Sequence, residues 1–121
     1  MWRRSLAGVQ YLYHPDQPGS YGDDLAWDAT FPVGRWVSIK TCIEMNTPGE
    51  HDGVVQTWMD GQPVLDRRDI RFRDISDVGI DHFLFHTFFG GNSQEWAPKQ
   101  DEYIDFDNFV FSKLSPASIK P

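Results

Sequence analysis

The segment RWVSIKTCIEMNTPGEHDGVVQTWMDGQPVLDRR, residues 35–68, constrains the fold more tightly than any other part of the chain. At its start Val37, Ile39, Thr41, Ile43 and Met45 fall on alternate positions, and Trp36, Ser38, Lys40, Cys42 and Glu44 fill the gaps. A period of two marks a strand, whose successive side chains point to opposite faces. The apolar stripe Val37, Ile39, Ile43 and Met45 is therefore expected to face a core, with the mixed set towards solvent or a cleft. NTPGEHDG reads as a turn and VVQTWM as a second strand. Asp60-Gly61 then marks a hairpin into a third strand, QPVLDRR.

The remaining segments extend the same reading. WRRSL and VQYLYH flank Ala7-Gly8 and read as a further hairpin. HPDQPGSYGDDLAWDATFPVG is rich in Pro, Gly and Asp and reads as a long loop that forms a wall beside a site. IDHFLFHTFFGG and YIDFDNFVFSKL read as the last two strands, the first ended by Gly90-Gly91. No window holds a helical period, and there is no internal repeat or linker. With 121 residues, 40% hydrophobic and 15% aromatic, the chain is expected to form one all-β domain over 1–121, a β-sandwich.

Charge and cysteine use narrow the function classes. A net charge of −7 argues against a nucleic-acid binder, which needs a basic face to neutralise phosphates. It leaves room for an anionic ligand where cations cluster, as Arg3 and Arg4 do. No apolar run reaches the roughly 18 residues of a membrane span, so no membrane partner is expected. The single cysteine, Cys42, forms no internal disulfide and reads as a buried thiol. The opening MWRRSLAGVQ lacks the apolar stretch of a signal peptide, and the compartment stays open.

Tyr11 and Tyr13, at i and i+2 of a strand, present both phenols to one face. Such pairs are common in sheets for packing alone, so two readings stand: cross-strand packing, or a site for an acidic sugar. The hairpin decides which arginine lies opposite Tyr11. A three-residue loop selects Arg3 and a two-residue loop Arg4. Lys40 sits on the non-core face of its strand, where it is able to meet a sugar carboxylate. Trp58 is able to stack on a pyranose or to fill the core. His86 borders a groove or packs at its rim. The histidines show no metal-ligand spacing, and the acids Asp23, Asp24, Asp101, Glu102, Asp105 and Asp107 lack a calcium-loop pattern. No cofactor and no metal are expected.

Four stretches in order, MWRR…YLYHPDQPG, MNTPGEHDGVVQTWMDG, FHTFFGG and EWAPKQDEYIDFDNF, resemble the polysaccharide lyases of the alginate lyase family 14 type, relatives of the glucuronan lyases. The resemblance implies a concanavalin-like jelly-roll β-sandwich, a groove on its concave sheet, and cleavage of uronate-containing chains by β-elimination. It implies that a Tyr-x-Tyr pair takes part in proton transfer, which Tyr11 and Tyr13 match. Arg3, within the family-like MWR, is favoured as the accompanying cation. The family's Ser-x-Arg pair and lysine precede this segment, so the chain is expected to be either the C-terminal part of a longer lyase or a short relative that has lost the earlier strands, with an incomplete catalytic set in both cases. Self-association through the sheet edge so exposed is then expected. The family also suggests a secreted protein.

Elimination beside a uronate carboxylate needs that carboxylate neutralised, a base at C5 and an acid at O4. A phenol with an ordinary pKa near 10 is a weak base at neutral pH, and a neighbouring guanidinium would lower it. Arg3 or Arg4 is expected to supply that charge, with Arg4, Lys40, His86 and Trp58 binding substrate. The alternative is a non-catalytic carbohydrate-binding module on the same sandwich.

Overall fold

The computed structural model describes residues 6–113. The chain divides into two compact units, represented by residues 6–82 and 83–113. Five antiparallel strands lie in the first: β1 (Ala7–Leu12), β2 (Asp23–Thr30), β3 (Ile39–Glu44), β4 (Gly53–Met59) and β5 (Gln62–Ile70). β1 pairs with β2, and β3, β4 and β5 form a second sheet in that order. The protein is all-β, with antiparallel sheets of the sandwich type.

The segment that reads most clearly in sequence folds as expected. β3 pairs along β4 from Ile39 opposite Met59 to Glu44 opposite Val54. Asp60 and Gly61, with φ of 50° and 79°, make the two-residue turn into β5. Two positive φ values are what the twist of a tight hairpin requires, and Asp and Gly tolerate them. The Asp60 carboxylate also accepts from the Ser38 backbone N–H at 2.9 Å, tying the turn to the start of β3.

The core joins both sheets: Leu25 of β2, Val55 of β4 and Ile70 of β5, with Leu12, Leu65 and Phe72 against them. Ile39 and Ile43 lie opposite Met59 and Val55, on the core-facing side, yet they are 41% and 44% exposed. Alternation sets the face correctly. Burial fails because β3 ends its sheet, where the core thins. Cys42, on the other face, is half-buried rather than sealed.

A fully buried Asn46 closes the β3–β4 connection. Its Nδ2 donates to the carbonyls of Thr47, Glu50 and Arg73 at 2.8–2.9 Å, and its Oδ1 accepts from the Phe72 and Arg73 N–H groups at 2.8 and 3.0 Å. A buried amide with both ends satisfied stands in for backbone pairing that the turn and the chain after β5 lack.

Two expectations are corrected here. Ala7-Gly8 is not a turn: Ala7 pairs with Thr30, and the Phe31 N–H donates to the Leu6 carbonyl at 2.8 Å. Glycine stands at position 8 because the Trp27 ring lies where a Cβ would project. The long loop of residues 14–34 also contains a full strand. β2, DDLAWDAT, alternates in burial along its length, so Asp23 and Asp24 are strand residues. Its flanking Pro and Gly residues hide this period from a reading by composition.

In residues 83–113 the only regular element among the described residues is a short 3₁₀ turn, Gln94–Trp96. The two segments expected as strands form none. Their rings nonetheless meet in antiparallel order, Phe83 with Phe111 at 4.3 Å and Phe85 with Phe109 at 5.0 Å between centroids. Asn108, at φ 56°, breaks the extended backbone between Phe106 and Phe109. Phe88 remains 81% exposed.

Candidate active site

The strand pairing fixes the direction of the tyrosines. Tyr11 lies opposite Asp24, and its neighbour Leu12 points into the core. Tyr11 therefore faces away from the core, and Tyr13, two residues on, shares its side. The phenol oxygens stand 3.4 Å apart and the rings meet edge to face with centroids 5.4 Å apart. The Gly22 N–H donates to the Tyr11 oxygen at 2.8 Å, which leaves the Tyr11 hydroxyl proton available to Tyr13. Tyr13 is 61% exposed, so its oxygen is open to a ligand.

The described neighbours of Tyr11 raise its pKa. Its hydrogen bond with Tyr13 raises the phenol above its ordinary pKa, and desolvation adds to this. The Gly22 N–H opposes the shift, while the charge of Asp24 reinforces it. Tyr11 thus holds its proton, which suits an acid rather than a base. Arg3 and Arg4 lie outside the described residues. Ala7-Gly8 is strand rather than the turn of the expected hairpin, and the described strand partner of Tyr11 is Asp24.

Two further contacts hold the loop between β1 and β2. His14, next to Tyr13, places Nε2 3.1 Å from the Asp23 carboxylate, with a side chain only 9% exposed. Its buried Nδ1 has no partner among the described residues. Asp16 accepts from Arg71 Nε at 3.0 Å and a terminal guanidinium nitrogen at 2.8 Å, and sits 3.0 Å from His51 Nε2. Hydrogen bonding from Arg71 comes first among the causes that bring Asp16 down to about 2. Arg71 also bonds Asp74 at 2.6 Å. Together these contacts moor the loop after Tyr13 to the end of β5. The sequence reading weighs Asp23 and Asp24 only as loop acids and does not single out Gly22, although the alternation of DDLAWDAT carries the signal for a strand there.

Of the other expected site residues, Lys40 and Trp58 come together within the first unit. Lys40 lies opposite Trp58 on β3 and β4, on the face away from Val55, with Nζ 4.9 Å from the ring centroid. Trp58 is 4% exposed, which leaves little ring face for a sugar to stack on. His86 belongs to the unit of residues 83–113 and is exposed there.

Antiparallel sheets with a hydrogen-bonded phenol pair on an outward face define an all-β protein of the sandwich class with a polar site on one sheet. The family model of polysaccharide lyase 14 matches residues 1–109, and the chain belongs to that family. It is also similar to Exolysin of Paramecium bursaria Chlorella virus 1, 28% identical over 82 residues. That match covers 67% of this chain but 12% of the viral protein, so the chain spans about an eighth of that relative's length. No solved structure matches the chain.

Proposed function

We propose that this polysaccharide-lyase-like domain cleaves a uronate-containing polysaccharide, of alginate or glucuronan type, by β-elimination. The observation that carries the reading is the phenol pair, 3.4 Å apart and open to solvent through Tyr13. Tyr13 acts as the phenolate, accepting the Tyr11 hydroxyl proton in a hydrogen bond, and takes the C5 proton. The electron pair of the C5–H bond forms the C4–C5 double bond, the C4–O4 bond breaks, and Tyr11 protonates O4. The proton then returns from Tyr13 to Tyr11 across their hydrogen bond. Arg3 and Arg4 are assigned the neutralisation of the uronate carboxylate, which acidifies C5–H.

The test is the near-ultraviolet absorbance of the new conjugated double bond on alginate and on glucuronan. Tyr13→Phe should lower the rate by roughly 10²–10⁴, the range of a lost general acid or base. Robust turnover in the Tyr11→Phe, Tyr13→Phe double variant would place the chemistry on other residues. One observation favours a second reading. Tyr11 is driven towards its neutral form, as suits a phenol that holds a glycan without cutting it. Saturable oligouronate binding with no absorbance change would support that binding module instead.

Self-association is part of the same proposal. β3 ends its sheet with Ile39 and Ile43 exposed, an edge that a two-fold copy would cover. Light scattering should give a dimer at high micromolar concentration, and a clean monomer there would remove this part.

A further inference from the structure

We propose that Lys40 is the cation of a separate carboxylate-binding depression on the outer side of β3 and β4, sized for one sugar acid. The choice of a sugar acid rests on the polysaccharide reading above; the carboxylate chemistry rests on the geometry alone. The depression has a volume of about 220 Å³ and is lined by Ser38, Lys40, Trp58 and Gly61. That is below the roughly 300–1,000 Å³ of sites for larger organic ligands, and suits one ring rather than a chain.

Trp58 does not serve there as a stacking platform, since it is almost wholly buried. Its role is to seat the ammonium. With Nζ 4.9 Å over the ring, Lys40 is held on one side by the π face and presents its other N–H donors outward. A cation–π contact neutralises no charge, and none of the lining side chains among the described residues is a carboxylate. The neighbouring acid in sequence, Asp60, is engaged by Arg35 at 2.8 Å and by the Ser38 N–H at 2.9 Å. Lys40 is thus preorganised in a concave site with no carboxylate on its lining among the described residues, the arrangement that captures a carboxylate. Ser38 stands on the lining beside it to meet a sugar hydroxyl. A Cβ at Gly61 would meet open space, so that wall leaves room for a ring. The Trp58 indole Nε1 is buried with no acceptor among the described residues, which makes its N–H a sensitive reporter of any change in the seat.

The experiment is a titration of the full chain, labelled with ¹⁵N, with glucuronate and with glucose as the neutral control. Glucuronate should shift the Trp58 indole N–H saturably, while glucose should bind at least tenfold more weakly. Lys40→Met, which keeps the stem and removes the charge, should weaken glucuronate roughly tenfold, as loss of a charged hydrogen bond does. Lys40→Arg should retain binding. An unchanged affinity in Lys40→Met, or no shift at all with glucuronate, overturns the proposal. The absorbance assay fails independently. Glucuronate captured at Lys40 without chain cleavage leaves the depression standing and removes the lyase reading, and cleavage with no effect of Lys40→Met does the reverse.

Discussion

Residues 6–82 and 83–113 are both built from alternating apolar and polar positions, but they turn that pattern into different structures. The first region has hydrogen-bonded ladders, and every buried apolar side chain among the described residues lies in it. The second holds most of the phenylalanines, brought together ring to ring with their faces still exposed. The difference is where the backbone groups find partners. In the first region the turns close locally, at Asp60-Gly61 and around Asn46, so each strand meets its neighbour early. In the second, the Gly90–Gly91 stretch, the 3₁₀ turn and Asn108 interrupt the backbone before a ladder forms. Alternation assigns faces; it does not supply a partner strand.

The sharpest way to break this contrast is Asn46→Ala. It strands buried donors and acceptors on both sides of the β3–β4 connection, each costing about 1–3 kcal/mol when left unpaired. A loss of about 3 kcal/mol or more is expected in urea unfolding followed by circular dichroism. A loss below about 1 kcal/mol would show that the turn closes without the amide.

A smaller effect is expected at the tether of the tyrosine loop. Asp16 is lowered from 3.8 to about 2, mainly by its hydrogen bonds from Arg71, with His51 adding in the same direction. The charged form is therefore favoured by folding. Its contribution is fully present above pH 3.8 and is lost as pH falls through about 2. Asp16 is partly exposed and solvent screens the pair, so the effect is modest. The unfolding midpoints of the parent and Asp16→Asn should differ at pH 5 and converge by pH 2. A gap that stays constant across that range would show that ionic contacts do not hold the loop.

The smallest effect should come from the second region. Phe85 contacts Phe106 and Phe109 at 4.8 and 5.0 Å yet is 49% exposed. Phe85→Ala should cost only roughly 0.5–1.5 kcal/mol, the worth of aromatic pairs beyond burial. A cost near that of Asn46→Ala would mean that these rings are buried in solution, in a self-associated form.

How much was legible in the sequence divides along the same line. The three-strand segment, its turn at Asp60-Gly61 and the shared face of Tyr11 and Tyr13 follow from local rules: a period of two, and the tolerance of Asp and Gly for positive φ. The family resemblance lay in ordered short motifs and was legible for the same reason. Strand β2 was hidden because turn-forming residues surround a clear alternation. Ala7-Gly8 imitates a turn because a glycine required by a distant ring looks like one required by a bend.

By itself the sequence determined the all-β class, the faces of the strands and which residues carry titratable groups. Only the tertiary structure decided their partners: Asp24 opposite Tyr11, Gly22 on its oxygen, Arg71 on Asp16, and Trp58 beneath Lys40. Those pairings join positions far apart in the chain. A phenol's protonation or an ammonium's aim depends on the charges and dipoles within a few ångströms, which no local pattern of residues encodes.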